Sequence, residues 1–138
     1  MSRLRLHIQS QPMEVLMKGL RIVLLVQAVY LMILGLMFLF APTAAEGAFQ
    51  ISLPDPALTP LYGQVVLTIA LMAYLVASDT EKHIKLVWAF IFEQIGHILI
   101  FGYQLGTGIA TFASVGPPLV IAVIFLVLFV VFYRKVTS

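Results

Sequence analysis

Glu93 and His97 are the residues most able to do chemistry in this chain, because both fall inside a long apolar run, in the segment FEQIGH. Positions i and i+4 stack on one face of a helix, so a carboxylate and an imidazole at this spacing can meet. An ionised group in hydrocarbon costs several kcal/mol or more, so such residues face a protein interior and mark ligand, ion or proton sites. Two arrangements lower that cost. Glu93 holds its proton and is neutral, or a Glu–His ion pair forms along the helix. The chemistry available is ligand binding, quinone binding or proton handling. The competing reading is structural: a hydrogen-bonded clamp between helices, with each such bond contributing about 0.6 kcal/mol.

The elements that must hold this pair are membrane spans. Of the 138 residues, 62% are hydrophobic and only 10% charged, and the mean hydropathy is +1.07. Soluble domains are about 45–50% apolar and about 25% charged, so these charges are too few to cover a soluble surface. Disorder is excluded on the same ground. The absence of cysteine removes disulfide scaffolds, thiolate catalysis and cysteine metal sites. Crossing about 30 Å of hydrocarbon takes about 20 apolar residues. Four segments qualify, at 20–41, 61–78, 86–105 and 118–133. Pro42 closes the first, Pro60 opens the second, Gly106-Thr107-Gly108 ends the third and Pro117-Pro118 open the fourth. The expected fold is an all-α, polytopic four-transmembrane-helix bundle forming one integral membrane domain over 1–138.

The charges orient it. Arg3, Arg5, Lys18 and Arg21 precede or begin the first span, Lys82 and Lys85 join spans two and three, and Arg134 and Lys135 follow the fourth. The segments 42–60 and 106–116 hold no Lys or Arg. The positive-inside rule then places both termini in the cytoplasm, as expected for a multi-pass protein of the inner membrane. The pI near 9.1 therefore reads as topology, with possible contact to anionic lipid, and no nucleic-acid partner is expected. Pro42-Thr43-Ala44-Ala45 loosely resembles a signal-peptide cleavage region, but the preceding run of about 20 residues exceeds the usual 7–15, so it is expected to stay. Residues 1–18 read either as an interfacial helix or as a mobile tail, with Gln9-Ser10-Gln11-Pro12 expected to interrupt any helix. A short helix is expected from Ala44 to about Ile51, followed by irregular Pro54-Asp55-Pro56.

Depth arithmetic supplies partners. At 1.5 Å per residue from Leu86, Glu93 lies about 10 Å and His97 about 16 Å into the membrane. Gln27 on the first span is level with Glu93, with Tyr30 slightly deeper, and Gln64 with Thr68 occupies the outer half of the second. The candidate ligand-binding set is Glu93, His97, Gln27, Tyr30 and Gln64. Tyr74 and Gln104 extend this polar path, while the fourth span, apolar from Leu119 to Phe132, is expected to face lipid. Gly63, Ala70 and Ala77 recur every seven residues and permit close helix approach. Trp88, Tyr62, Tyr103 and Tyr133 read as interfacial belt residues.

Hydrolase chemistry is not expected, since no serine has a positioned base and no G-x-S-x-G occurs. Glu93 and His97 are two ligands where zinc or di-iron sites need three or four, so no metal is assigned. His97 offers one axial position for haem, and no cofactor is assigned. The chain is therefore read as non-enzymatic.

The layout resembles the DoxX-like families of small four-span bacterial membrane proteins, including BphX-like proteins. The matching features are an Arg-led first span with Gly35-Leu36 near its end, a loop containing Pro42, a Gly63-led second span, a short charged turn, and a third span with an embedded polar cluster. The resemblance covers about residues 18–135. It implies a four-helix membrane fold and an association with oxidation or aromatic degradation. Some members carry Gly-Arg where this chain has Gly96-His97, and no site residue is carried over. The functional expectation is a protein that binds a hydrophobic small molecule or quinone, or serves an adjacent redox system. The alternatives are an accessory subunit of a larger membrane complex, or a homo-oligomeric proton or small-solute pathway.

Overall fold

The computed structural model describes residues 2–49 and 58–138, with side chains from Met13 onward except Phe49. Expectations for Pro54-Asp55-Pro56, for a loop helix reaching Ile51, and for the side chains of Arg3, Arg5 and His7 lie outside the described residues. Five α-helices follow one another: α1 (Ser2–Phe40), α2 (Pro42–Phe49), α3 (Leu58–Ser78), α4 (Val87–Gly106) and α5 (Phe112–Thr137), with a 3-10 turn at Ile84–Leu86 leading into α4. No strand occurs among the described residues. Among the described residues, four segments are long and apolar enough to cross a membrane: Met13–Phe40, Leu58–Ser78, Ile84–Gly106 and Phe112–Thr137.

Two helix starts differ from the sequence expectation. α1 is continuous through Pro12. A proline forfeits one ladder bond and crowds the carbonyl four residues back, but nothing else between Ser2 and Leu20 stops a helix. At 39 residues α1 is about 58 Å long, nearly twice the hydrocarbon thickness, so its amino-terminal part projects beyond the apolar layer. There Glu14 and Lys18 form an exposed i,i+4 ion pair at 2.8 Å, in the favourable Glu-before-Lys order. α5 begins at Phe112, ahead of Pro117-Pro118, because a capping box forms one turn earlier. The Ser114 N–H donates to Thr111 Oγ1 at 3.4 Å and the Thr111 N–H donates to Ser114 Oγ at 3.2 Å. These reciprocal bonds satisfy donors that a helix start leaves open.

Packing follows alternating three- and four-residue spacing. On α1, Leu20, Leu24, Gln27, Leu31, Gly35 and Phe38 are buried, and on α3 so are Thr59, Gly63, Val66, Ala70, Ala73 and Ala77. These are seams of the coiled-coil kind. The two helices approach most closely where Gly35 meets Gly63. A Cβ on Gly63 would stand 2.9 Å from the Gly35 carbonyl oxygen, and one on Gly35 would stand 3.0 Å from the Gly63 carbonyl. Both positions therefore require glycine, and the small-residue stripe serves helix contact as expected. α5 packs on α4 through Phe129 and Phe90, whose rings stack at 6.1 Å, and α1 leans on α5 where Gly19 admits the Phe132 ring. Ala122, Phe125 and Phe129 of α5 are buried, so this helix turns one face inward instead of serving only as a lipid-facing wall.

The result is a ring of helices in the order α3, α1, α5, α4, left open between α3 and α4, which make almost no contact. These two are joined by the turn at 79–86. Lys18, Arg21, Asp79, Glu81 and Thr137 border one groove at a single end of the bundle, as the antiparallel arrangement requires. α4 carries buried residues only up to Gln94, so its second half is loosely packed.

Candidate functional site

The first polar contact inside the bundle crosses it diagonally. Gln27 Nε2 on α1 donates to Glu93 Oε2 on α4 at 2.9 Å. Gln27 is 1% exposed, held by the Leu20, Leu24 and Leu31 seam around it. Its other polar atom, Oε1, is buried and has no hydrogen-bond partner among the described residues. A buried polar atom left unpaired costs about 1–3 kcal/mol, so this acceptor is an anomaly in an otherwise apolar interior.

Above this pair lies a cavity of about 130 Å³. α1 contributes Gln27, Tyr30, Leu31 and Leu34; α3 contributes Tyr62, Val65, Val66 and Ile69. α4 adds Glu93, Gln94, His97 and Phe101, and α5 adds Pro118, Ile121, Ala122 and Phe125. Counting 1.5 Å per residue from the helix ends, the lining runs from about 6 Å below the α3 start at Tyr62 to about 20 Å below the α1 and α4 ends at Gln27 and Glu93. The cavity is thus a shaft with an aromatic and aliphatic wall and a polar floor. Tyr62 and Val65 line it while remaining 49% and 56% exposed, so its α3 wall is also part of the bundle's surface.

Four of the five sequence candidates come together here: Gln27, Tyr30, Glu93 and His97. Glu93 is joined to Gln27 across the bundle. His97, one turn on, lines the same cavity and stacks on Phe101 at 5.7 Å. Glu93 and His97 make no ion pair with each other among the described residues; they line one cavity with different neighbours. Gln64 does not join them. It is exposed, and one residue past Gly63 it is turned about 100° away from the α1 contact. Thr68 lies on the same outward side, with its hydroxyl donating to the Gln64 carbonyl at 3.0 Å. Tyr74 is also exposed, because the small residues of α3 claim the interior face.

Gln94 and Tyr62 are polar lining residues outside the candidate set read from the sequence. Gln94 is buried and adds a second amide near the floor. Tyr62 also meets Phe38 edge-on at 5.1 Å, so it fixes the upper wall besides lying near a helix end. Its position one residue before Gly63, on the opposite side from Gln64, was the available signal. Among the described residues no three His, Asp or Glu side chains gather as a metal site would need.

Fold and site together describe a multi-pass, four-helix membrane protein with a small amphipathic cavity among its helices. Comparison with protein-family models, with curated proteins and with solved structures gave no match.

Proposed function

We propose that the chain is a non-enzymatic ligand-binding protein of the inner membrane, DoxX-like in type, with both termini cytoplasmic. Its ligand is a small hydrophobic molecule, of the quinone or aromatic class, taken up between the helices for storage or delivery to an adjacent redox or degradation system. The observation that carries this reading is the cavity ending on Gln27 and Glu93, with a buried Gln27 acceptor that has no partner among the described residues. Binding sites pair an apolar wall with a few placed polar groups in this way. The orientation rests on the basic residues gathered at one bundle end.

A second reading is an accessory subunit of a larger complex. It is favoured by Gly96, Gly102 and Gly106 on α4, where an added Cβ would meet nothing within 4 Å. In that case Gln27–Glu93 is a structural clamp.

The test is to purify the protein in mild detergent and identify co-purified small molecules by mass spectrometry, comparing wild type with Ala122→Leu. Leucine at this buried lining position fills part of the cavity. An aromatic or quinone-class compound retained by wild type and lost from the variant is expected. Retention by neither, together with a stoichiometric partner protein, supports the accessory role.

A further inference from the structure

We infer that the preferred ligand of this cavity is a small aromatic amine, one ring carrying a basic amino group, held against Glu93 as its ammonium ion. This names the ligand class of the proposed site and rests on that reading.

Charge selects the amino group. Glu93 is the one acidic residue lining the cavity. No Lys or Arg lies between Arg21 and Lys82 or between Lys85 and Arg134, and none lines the cavity. Glu93 makes no ion pair among the described residues; its bond is to the neutral Gln27 amide. The other titratable groups around the cavity are Tyr30 from α1, Tyr62 from α3 and His97 from α4, and α5 presents none. A carboxyl at this depth exists as the neutral acid or beside a countercharge, and an amine complements both forms. To the carboxylate it brings an ammonium ion. From the neutral acid its nitrogen lone pair takes the proton: the Glu93 O–H bond breaks, an N–H bond forms, and the same ion pair results with no change in net charge. A quinone meets only the neutral acid, because its oxygens only accept. A hydroxyl meets either form but leaves no opposite charges together, and charge-assisted hydrogen bonds are about twice as strong as neutral ones.

The walls favour the same class. Tyr30, Tyr62, Phe101 and Phe125 line the cavity. The face of an aromatic ring attracts a cation, more strongly where water is excluded. Rings also pack well against a ring, offset or edge-on. An apolar cavity of about 150 Å³ accepts benzene, so about 130 Å³ suits one ring and not two.

The test is isothermal titration of the purified wild-type protein, in non-ionic detergent at neutral pH, with benzylamine and benzyl alcohol. The two have the same shape, and benzylamine is protonated in this buffer while the alcohol is neutral. Benzylamine is expected to bind at least tenfold more tightly, a difference of about 1.4 kcal/mol. Glu93→Gln keeps the size and removes the charge, and the two ligands should bind it within a factor of three of each other. Where that variant does not fold, dicyclohexylcarbodiimide labelling of wild type, read at Glu93 by peptide mass spectrometry, takes its place. Benzylamine should then slow the labelling more than benzyl alcohol at equal concentration. A preference below tenfold in wild type, a preference that survives Glu93→Gln, or equal protection from labelling would overturn the amine inference while leaving the ligand site standing. Failure of both compounds to bind wild type would overturn the inference and the proposed function beneath it.

Discussion

At the residue scale, Gln27 and Glu93 form a pair whose contribution separates structure from function. A hydrogen bond between membrane helices is worth about 0.6 kcal/mol on average. A double-mutant cycle of Gln27→Leu and Glu93→Leu, read by unfolding in mixed micelles, should give a coupling near that value. A coupling of about 3 kcal/mol would identify the pair as a primary clamp. The reach of the sequence is also clearest here. Glu93, His97, Gln27 and Tyr30 were legible because depth follows from residue count and side-chain face from the helical period. Gln64 shared their polarity but not their face. A glutamine beside Gly63 can be assigned to the interior only if the contact face of the helix is already known. The Gln27–Glu93 bond itself joins residues 66 positions apart, and no local pattern encodes which of several level partners Glu93 selects.

At the element scale, α1 and α3 depend on two glycines facing one another. Gly63→Val would push a side chain against the Gly35 carbonyl and the Leu39 backbone nitrogen, each 2.9 Å from the new Cβ. Backbone cannot swing aside as a flexible side chain can. Overpacking of this kind costs about 1–3 kcal/mol, and a lower midpoint in thermal unfolding of the detergent-solubilised protein is the expected outcome. Gly102→Val on α4, where nothing lies within 4 Å, should leave that midpoint nearly unchanged. A drop at Gly102 as large as at Gly63 would show that a partner covers α4. The heptad recurrence of Gly63, Ala70 and Ala77 announced this contact in advance. The start of α5 was harder to see. Two prolines make a strong opening signal, and the Thr111–Ser114 box uses serine where glutamate or glutamine is the familiar third residue.

At the scale of the whole molecule, the four candidate spans and the uneven charge distribution predict which end lies on which side. A reporter fused after Ser138 should be active in the form that requires the cytoplasm, and one inserted at 107–111 should report the opposite side. The same location for both would contradict four crossings. Composition and span length make this architecture readable from the sequence, because each span must satisfy its backbone bonds internally. What they did not reveal is the order of helices around the bundle. The opening between α3 and α4 arises from which faces pack best, a property of pairs of helices and not of any one.

The central claim is that the space above Gln27 and Glu93 receives a small ring from the membrane. Photolabelling wild-type protein in lipid nanodiscs with a diazirine-bearing phenol, followed by peptide mass spectrometry, tests it most directly. The expected result is adducts on Tyr30, Tyr62 and Glu93 that excess phenol suppresses. Adducts confined to outward residues such as Val29 and Leu99, unaffected by excess phenol, would contradict it.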